Sequence, residues 1–138
     1  MVAYSFNPRF ELPIREGWKT QTIRSTGLRR HARPGETIQL YCGLRTAACR
    51  KIVPDVRCTD VMQVEILFAL GRAPQIDRIT TDGVRVRDLE GFALRDGFTD
   101  IDEMSAFWRD QHPGATAAGF RGVLIEWADP AYVRRAVA

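Results

Sequence analysis

The chain has 138 residues, the length of one domain, which excludes a two-domain enzyme with a separate cofactor domain. Hydrophobic residues make up 45% and charged residues 27%, a globular balance that argues against disorder, and the apolar runs are too short to cross a bilayer. Net charge is +3, from 20 basic and 17 acidic residues, too mild an excess to announce a nucleic-acid partner by itself. The first ten residues carry no basic start followed by an apolar stretch, so we expect no secretory signal, a cytoplasmic setting, no membrane partner and one domain over residues 1–138.

Strand signals dominate along the chain. A weak strand is expected at residues 3–7 and a short helix at residues 12–17. Another weak strand follows at residues 20–24. Residues 37–42 alternate, with Ile38, Leu40 and Cys42 on one face. A further weak strand is expected at residues 45–53. Residues 61–70 then alternate over a longer run, with Met62, Val64, Ile66, Phe68 and Leu70 sharing a face. Around residues 77–86, Asp82-Gly83 signals a hairpin.

Helical signals cluster next. Residues 88–94 carry a short apolar stripe of Leu89, Phe92 and Ala93. Asp100 can cap a helix with Glu103 three residues on, and Ile101, Met104, Ser105 and Trp108 then follow helical spacing. His112-Pro113-Gly114 should end it. In the last strand Val123, Ile125 and Trp127 face one way, with Leu124 and Glu126 opposite. The expected fold is therefore α+β: a small mixed β-barrel with short helices covering its openings. Phe98, Phe107 and Trp108 read as core residues or barrel plugs.

Charge is unevenly placed. Between Arg24 and Arg57 the basic residues are Arg24, Arg29, Arg30, Arg33, Arg45, Arg50, Lys51 and Arg57, against only Glu36 and Asp55. Lys19 and Lys51 are the only lysines. The three cysteines, Cys42, Cys49 and Cys58, lack the close pairing of zinc ligands, and His31 and His112 are not obvious partners. We expect small apolar fillers, with no disulfide, metal or cofactor.

The most informative segment is Gly17-Trp18-Lys19-Thr20-Gln21-Thr22-Ile23-Arg24. A glycine turn delivers a lysine, two hydroxyls, an amide and an arginine within eight residues. A threonine hydroxyl becomes a competent nucleophile when a neighbouring base takes its proton, and a desolvated lysine can do that. In a regular strand Lys19 and Thr22 would face opposite ways, so they cooperate only if Lys19 lies in a turn or bulge before the strand. On spacing alone, the favoured reading is a polar edge strand with solvated side chains.

Further on come Arg33-Pro34-Gly35-Glu36, Leu40-Tyr41-Cys42-Gly43, Leu44-Arg45-Thr46, Cys49-Arg50-Lys51-Ile52 and Ala93-Leu94-Arg95-Asp96-Gly97-Phe98, before the capped helix with Phe107-Trp108. This ordered set resembles the ASCH domain family, a branch of the PUA-like superfamily, in its small stand-alone phage and prophage form. The resemblance runs from about Phe10 to Trp127. It implies a PUA-like barrel with a cleft, and binding of RNA or modified nucleosides. One branch of that family hydrolyses N4-acetylcytidine with a lysine, a threonine and a glutamate; another is reported as a ribonuclease. The lysine and threonine match Lys19 and Thr22, and Asp96 stands where that branch has glutamate.

Amide cleavage needs a nucleophile, a proton acceptor and an oxyanion stabiliser. Thr22 and Lys19, matched by the resemblance, can supply the first two; Arg24 can stabilise the oxyanion or grip the base, and Asp96 can orient Lys19 or meet the cytosine edge. Gln21, Trp18 and Tyr41 complete the substrate-binding candidates, the last two by stacking. In the alternative reading the domain binds RNA or modified DNA without catalysis. Arg29, Arg30, Arg33, Arg45, Arg50 and Lys51 then form the phosphate-tracking surface.

Overall fold

The computed structural model describes residues 2–128; residue 1 and residues 129–138, the two ends of the expected domain, lie outside the described residues. In chain order the elements are β1 (Val2–Phe6), a 3-10 turn at Pro8–Phe10, α1 (Glu11–Glu16), β2 (Gln21–Arg24), β3 (Thr37–Cys42) and β4 (Arg50–Lys51). Then come β5 (Val56–Phe68), β6 (Ile76–Thr81), β7 (Val84–Arg85), α2 (Leu89–Arg95), α3 (Ile101–Gln111), α4 (Pro113–Ala118) and β8 (Phe120–Ala128). The fold is α+β, a mixed sheet with a few short helices. Among the described residues no helix is long and apolar enough to cross a membrane.

The sheet is organised by β5. Its first residues pair with β3, its far end with β6, and its other edge runs along β8, all antiparallel. On β3's far side β1 lies parallel, with Val2 opposite Ile38 and Phe6 opposite Cys42. β2 closes the other flank on β8, with Gln21 opposite Glu126 and Arg24 opposite Val123. The main path is thus β1–β3–β5–β8–β2. Among the described residues no ladder joins β1 to β2, so the sheet is open where a closed barrel was expected. Strand β2 is only four residues long, and at this seam a side chain takes the place of a ladder. The Arg24 guanidinium donates to the Ser5 carbonyl of β1 at 2.7 Å.

Several element boundaries differ from expectation for identifiable reasons. Strand β5 begins five residues early because Val56 and Cys58 continue its buried parity. The outward Arg57, Thr59 and Asp60, and a bulge against β8 between Cys58 and Asp60, break the pattern in sequence. Leu70 falls outside the strand and is exposed. The strand expected at residues 45–53 shrinks to Arg50–Lys51. Before it, Gly43 and Arg45 take left-handed backbones, and the Thr46 hydroxyl donates to the Gly43 carbonyl. β8 is buried on both faces at Leu124 and Ile125, where alternation alone expects one half-buried face. α3 does end at Gln111, but Pro113 starts a new helix at its first turn, where a missing N–H costs nothing. Of the cysteines, Cys42 and Cys58 are buried and Cys49 is exposed.

The local signals for helix ends hold. Asp100 accepts from the Glu103 N–H at 2.7 Å, and Asp88 accepts from the Gly91 N–H at 2.9 Å. Asp82 and Gly83 both take positive φ in the β6–β7 turn. α3 is stitched to the sheet where the Ser105 hydroxyl accepts the Ile76 N–H at 3.0 Å, and Trp108 packs against Phe68 and Phe120. Fully buried Ile38, Ile66, Ile79, Phe92, Phe98, Met104 and Ile125 form the core. Replacing Ile66 by Ala should cost about 2–5 kcal/mol in urea unfolding. Leu70→Ala, just outside the strand, should change stability by less than about 0.5 kcal/mol.

Candidate functional site

Two helices end in the same way, and both endings point into one site. α1 stops at Gly17, whose φ of 85° is left-handed. The Gly17 N–H donates to the Ile14 carbonyl, and the Trp18 and Lys19 N–H groups donate to that of Pro13. α2 stops at Gly97, with φ of 100°. There the Gly97 N–H donates to the Leu94 carbonyl and the Phe98 N–H to the Ala93 carbonyl. The first turn delivers Lys19 before β2 begins, which meets the geometric condition for Lys19 and Thr22 to share a site. The second turn delivers Asp96 and Phe98. A bond from the Thr20 N–H to the Arg95 carbonyl, 2.9 Å, ties the two turns together.

Lys19, Gln21, Thr22, Asp96 and Ser105 are the buried polar residues among those described. Four of these five come from the two motif segments. Buried polar groups are the informative exception in a core, and here they interlock. The Lys19 ammonium donates to the carbonyls of Gln21 and Asp96, at 2.8 and 2.5 Å. It also lies 4.5 Å from the centre of the Phe10 ring and 5.5 Å from that of Phe6. The Gln21 amide donates to the Asp96 carboxyl over a long 3.4 Å. Asp96 therefore holds Lys19 through its main chain, while its carboxyl is held by Gln21. The Thr22 hydroxyl accepts from Arg24 Nε at 3.1 Å, and the Arg24 guanidinium lies 4.8 Å from the Phe6 ring and 5.1 Å from that of Tyr4.

Of these groups, Lys19, Thr22, Arg24, Asp96, Phe6 and Phe10 line a cavity of about 340 Å³ at the open seam between β1 and β2, within the usual range of small-molecule sites. Lys19, Thr22, Arg24 and Asp96 supply its polar wall. Phe6, Phe10, Phe98, Phe107, Trp108 and Phe120 supply aromatic faces. The rings of Phe10, Phe98 and Phe107 stand 5.2–5.5 Å apart, so this wall is itself tightly packed. Burial pushes the Lys19 ammonium down from 10.5 to about 8, against the opposing pull of Asp96. Burial pushes the Asp96 carboxyl up from 3.8 to about 6, against the pull of Lys19.

The remaining candidates divide. Gln21 supports the site from behind and is not part of the cavity wall. Trp18 and Tyr41 also lie outside that wall. Trp18 donates to Glu16 at 3.2 Å, and Tyr41 sits in β3 opposite Ser5 and Lys51. The expected basic surface separates into two parts. Arg29, Arg30 and Arg45 line a second, larger cleft. Arg50 is tied to Glu11 at 2.6 Å, Lys51 pairs with Asp55, and Arg33 is exposed beside Glu36. Sequence reading missed Ser5, Asn7, Phe10, His112 and Phe120 as wall residues. Ser5 and Asn7 carry no local signal of this, and the rings of Phe10, His112 and Phe120 read equally as core or helix end.

No protein-family model, curated protein or solved structure matches this chain.

A Cβ on Gly97 would stand 2.7 Å from Lys19 Cδ and 2.8 Å from Phe10 Cδ1, on a left-handed backbone. Gly97→Ala should therefore lower stability by roughly 2–4 kcal/mol in chemical unfolding. Because Asp96 binds its proton more tightly folded than unfolded, its contribution is greatest below pH 4 and is lost as pH rises through about 6. Relative to Asp96→Asn, the native protein should lose roughly 3 kcal/mol between about pH 4 and pH 6 and then level off. Urea titrations of both proteins across that window check the sign.

Proposed function

We propose that the seam cavity takes a modified pyrimidine nucleoside and hydrolyses the amide of an N4-acetylated cytosine. On this reading the open sheet is the PUA-like barrel of an ASCH domain, with its seam as the substrate entrance. The observation that carries the proposal is the convergence of Lys19, Thr22 and Asp96, from two segments far apart in sequence, on one aromatic-walled cavity. Aromatic faces suit a planar base, and the polar wall suits the acyl group.

The chemistry runs in two halves. Neutral Lys19 takes the Thr22 hydroxyl proton as the Thr22 oxygen attacks the acetyl carbon. Arg24, which already donates to that hydroxyl, stabilises the oxyanion. Collapse breaks the C–N bond, Lys19 returns the proton to the departing N4 amine, and the acetyl group remains as an ester on Thr22. Water, activated by Lys19, then cleaves the ester to release acetate and restore the threonine. Asp96, ionised above about pH 6, offsets the charge that Lys19 gains in each half.

Specific observations favour a second reading, in which the cavity reads a modified base in RNA or DNA without cleaving it. The Lys19 ammonium is already engaged by two carbonyls, and arginines line the neighbouring cleft.

Purified protein incubated with N4-acetylcytidine should release cytidine, followed by chromatography. The rate should climb with pH through about 8, as the buried lysine loses its proton. Lys19→Ala should lower kcat/KM about 100-fold or more. Tight binding of the nucleoside with no release of cytidine by folded native protein contradicts hydrolysis and favours the binding reading.

A further inference from the structure

The second cleft, of about 760 Å³, opens beside the seam cavity and shares Ser5, Arg24 and Ser25 with it. Arg24 is thus the wall between the two. On the far side stand Arg29, Arg30 and Arg45, and no carboxylate lines this cleft. Arg30 is held by Glu36 through two bonds of 2.7 Å. For Arg29 and Arg45, by contrast, the described residues supply no ion pair and no side-chain hydrogen bond.

Both loops that carry these arginines are fastened to β1. The Leu44 N–H donates to the Ser5 hydroxyl at 3.2 Å, which brings Arg45 to the cleft. Arg45 itself is held at φ 69°, a left-handed backbone that a non-glycine residue adopts at a cost. On the other loop, His31 lies within hydrogen-bond distance of the Tyr4 hydroxyl and the Ser25 carbonyl, at 3.1 and 2.9 Å, and the Ala32 N–H donates to that hydroxyl at 3.0 Å. The cleft is therefore a concavity framed by two tethered loops, in which the exposed guanidinium groups of Arg29 and Arg45 are unengaged among the described residues. Guanidinium donors in such a setting match the oxygens of a phosphate.

We propose that this cleft is a phosphate site. The ligand is then a phosphorylated nucleoside, with its base in the seam cavity and its phosphate between Arg29 and Arg45. The proposal rests on the reading of the seam cavity as a base pocket and adds the class of molecule that fills both spaces. The phosphate can belong to a mononucleotide or to the backbone of a strand. Either source presents the same oxygens to the arginines.

Calorimetric titration separates these cases. The probes are cytidine, N4-acetylcytidine, the 5′-monophosphates of both, and a short single-stranded RNA carrying one N4-acetylcytidine. Each is titrated into the native protein and into Arg29→Ala/Arg45→Gly. Glycine at position 45 suits the left-handed backbone, so this variant keeps its loop. The native protein should bind each monophosphate at least about tenfold tighter than its nucleoside, and that ratio should fall towards one in the variant. A preference for the monophosphates that does not distinguish acetylated from plain cytosine supports the phosphate site and refutes the acetyl-specific base pocket. If the RNA binds tighter than the monophosphate, with steep salt dependence, the phosphate is that of a strand. Equal affinity for nucleoside and nucleotide in the native protein overturns the proposal. So does a nucleotide preference that survives in the variant, or no binding of either monophosphate at millimolar concentration.

Discussion

Taking an ammonium group out of water costs several kcal/mol unless its protons find partners and its charge finds compensation. The packing around Lys19 is arranged about that requirement. Two main-chain carbonyls accept its protons, one from β2 and one from the end of α2. Two phenylalanine rings lie against the charge. The carbonyl of Asp96 reaches the ammonium because the helix stops at Gly97, where a side chain would collide with the lysine stem. Removing the glycine, the turn or the lysine therefore disturbs the same clasp. The clasp also joins the N-terminal third of the chain to the helical region, 77 residues apart.

The open seam follows from the same arrangement. β2 begins only after the turn that delivers Lys19, so it is short, and its path to β1 is bridged by Arg24 instead of a ladder. A closed barrel would bury β1 and β2 against each other and fill the space that the cavity occupies. The missing ladder and the cavity are thus one feature. Arg24 serves three structural roles there: it bridges the seam, orients the Thr22 hydroxyl, and separates the two clefts.

Where local chemistry decides structure, the sequence was informative. Asp100 announced a helix start, Asp82-Gly83 announced its hairpin, and alternation announced β3 and the inner part of β5. Where tertiary pairing decides, it was not. The bulge at Asp60 hid the start of β5, and burial of β8 on both faces could not be read from its alternation. The loop before β4 turned on left-handed backbones at Gly43 and Arg45 that no strand propensity foretells. The segment around Lys19 and the turn at Asp96 stood out by residue type alone. Their meeting, and the contribution of Phe10, His112 and Phe120 to the same wall, depend on long-range packing that leaves no local trace. Trp18 neighbours Lys19 in sequence but not in the cavity, since its indole turns to Glu16, and Tyr41 lies on β3 opposite Ser5 and Lys51.

In the proposed reaction the seam cavity receives the acylated base beside Lys19 and Thr22. A crystal structure of Lys19→Ala, the slowed variant, soaked with N4-acetylcytidine tests it most directly. The expected density is a cytosine ring against the aromatic wall, with its acetyl carbon facing the Thr22 hydroxyl. A nucleoside bound elsewhere with the seam cavity empty, or seated with its acetyl group turned away from Thr22, would contradict it.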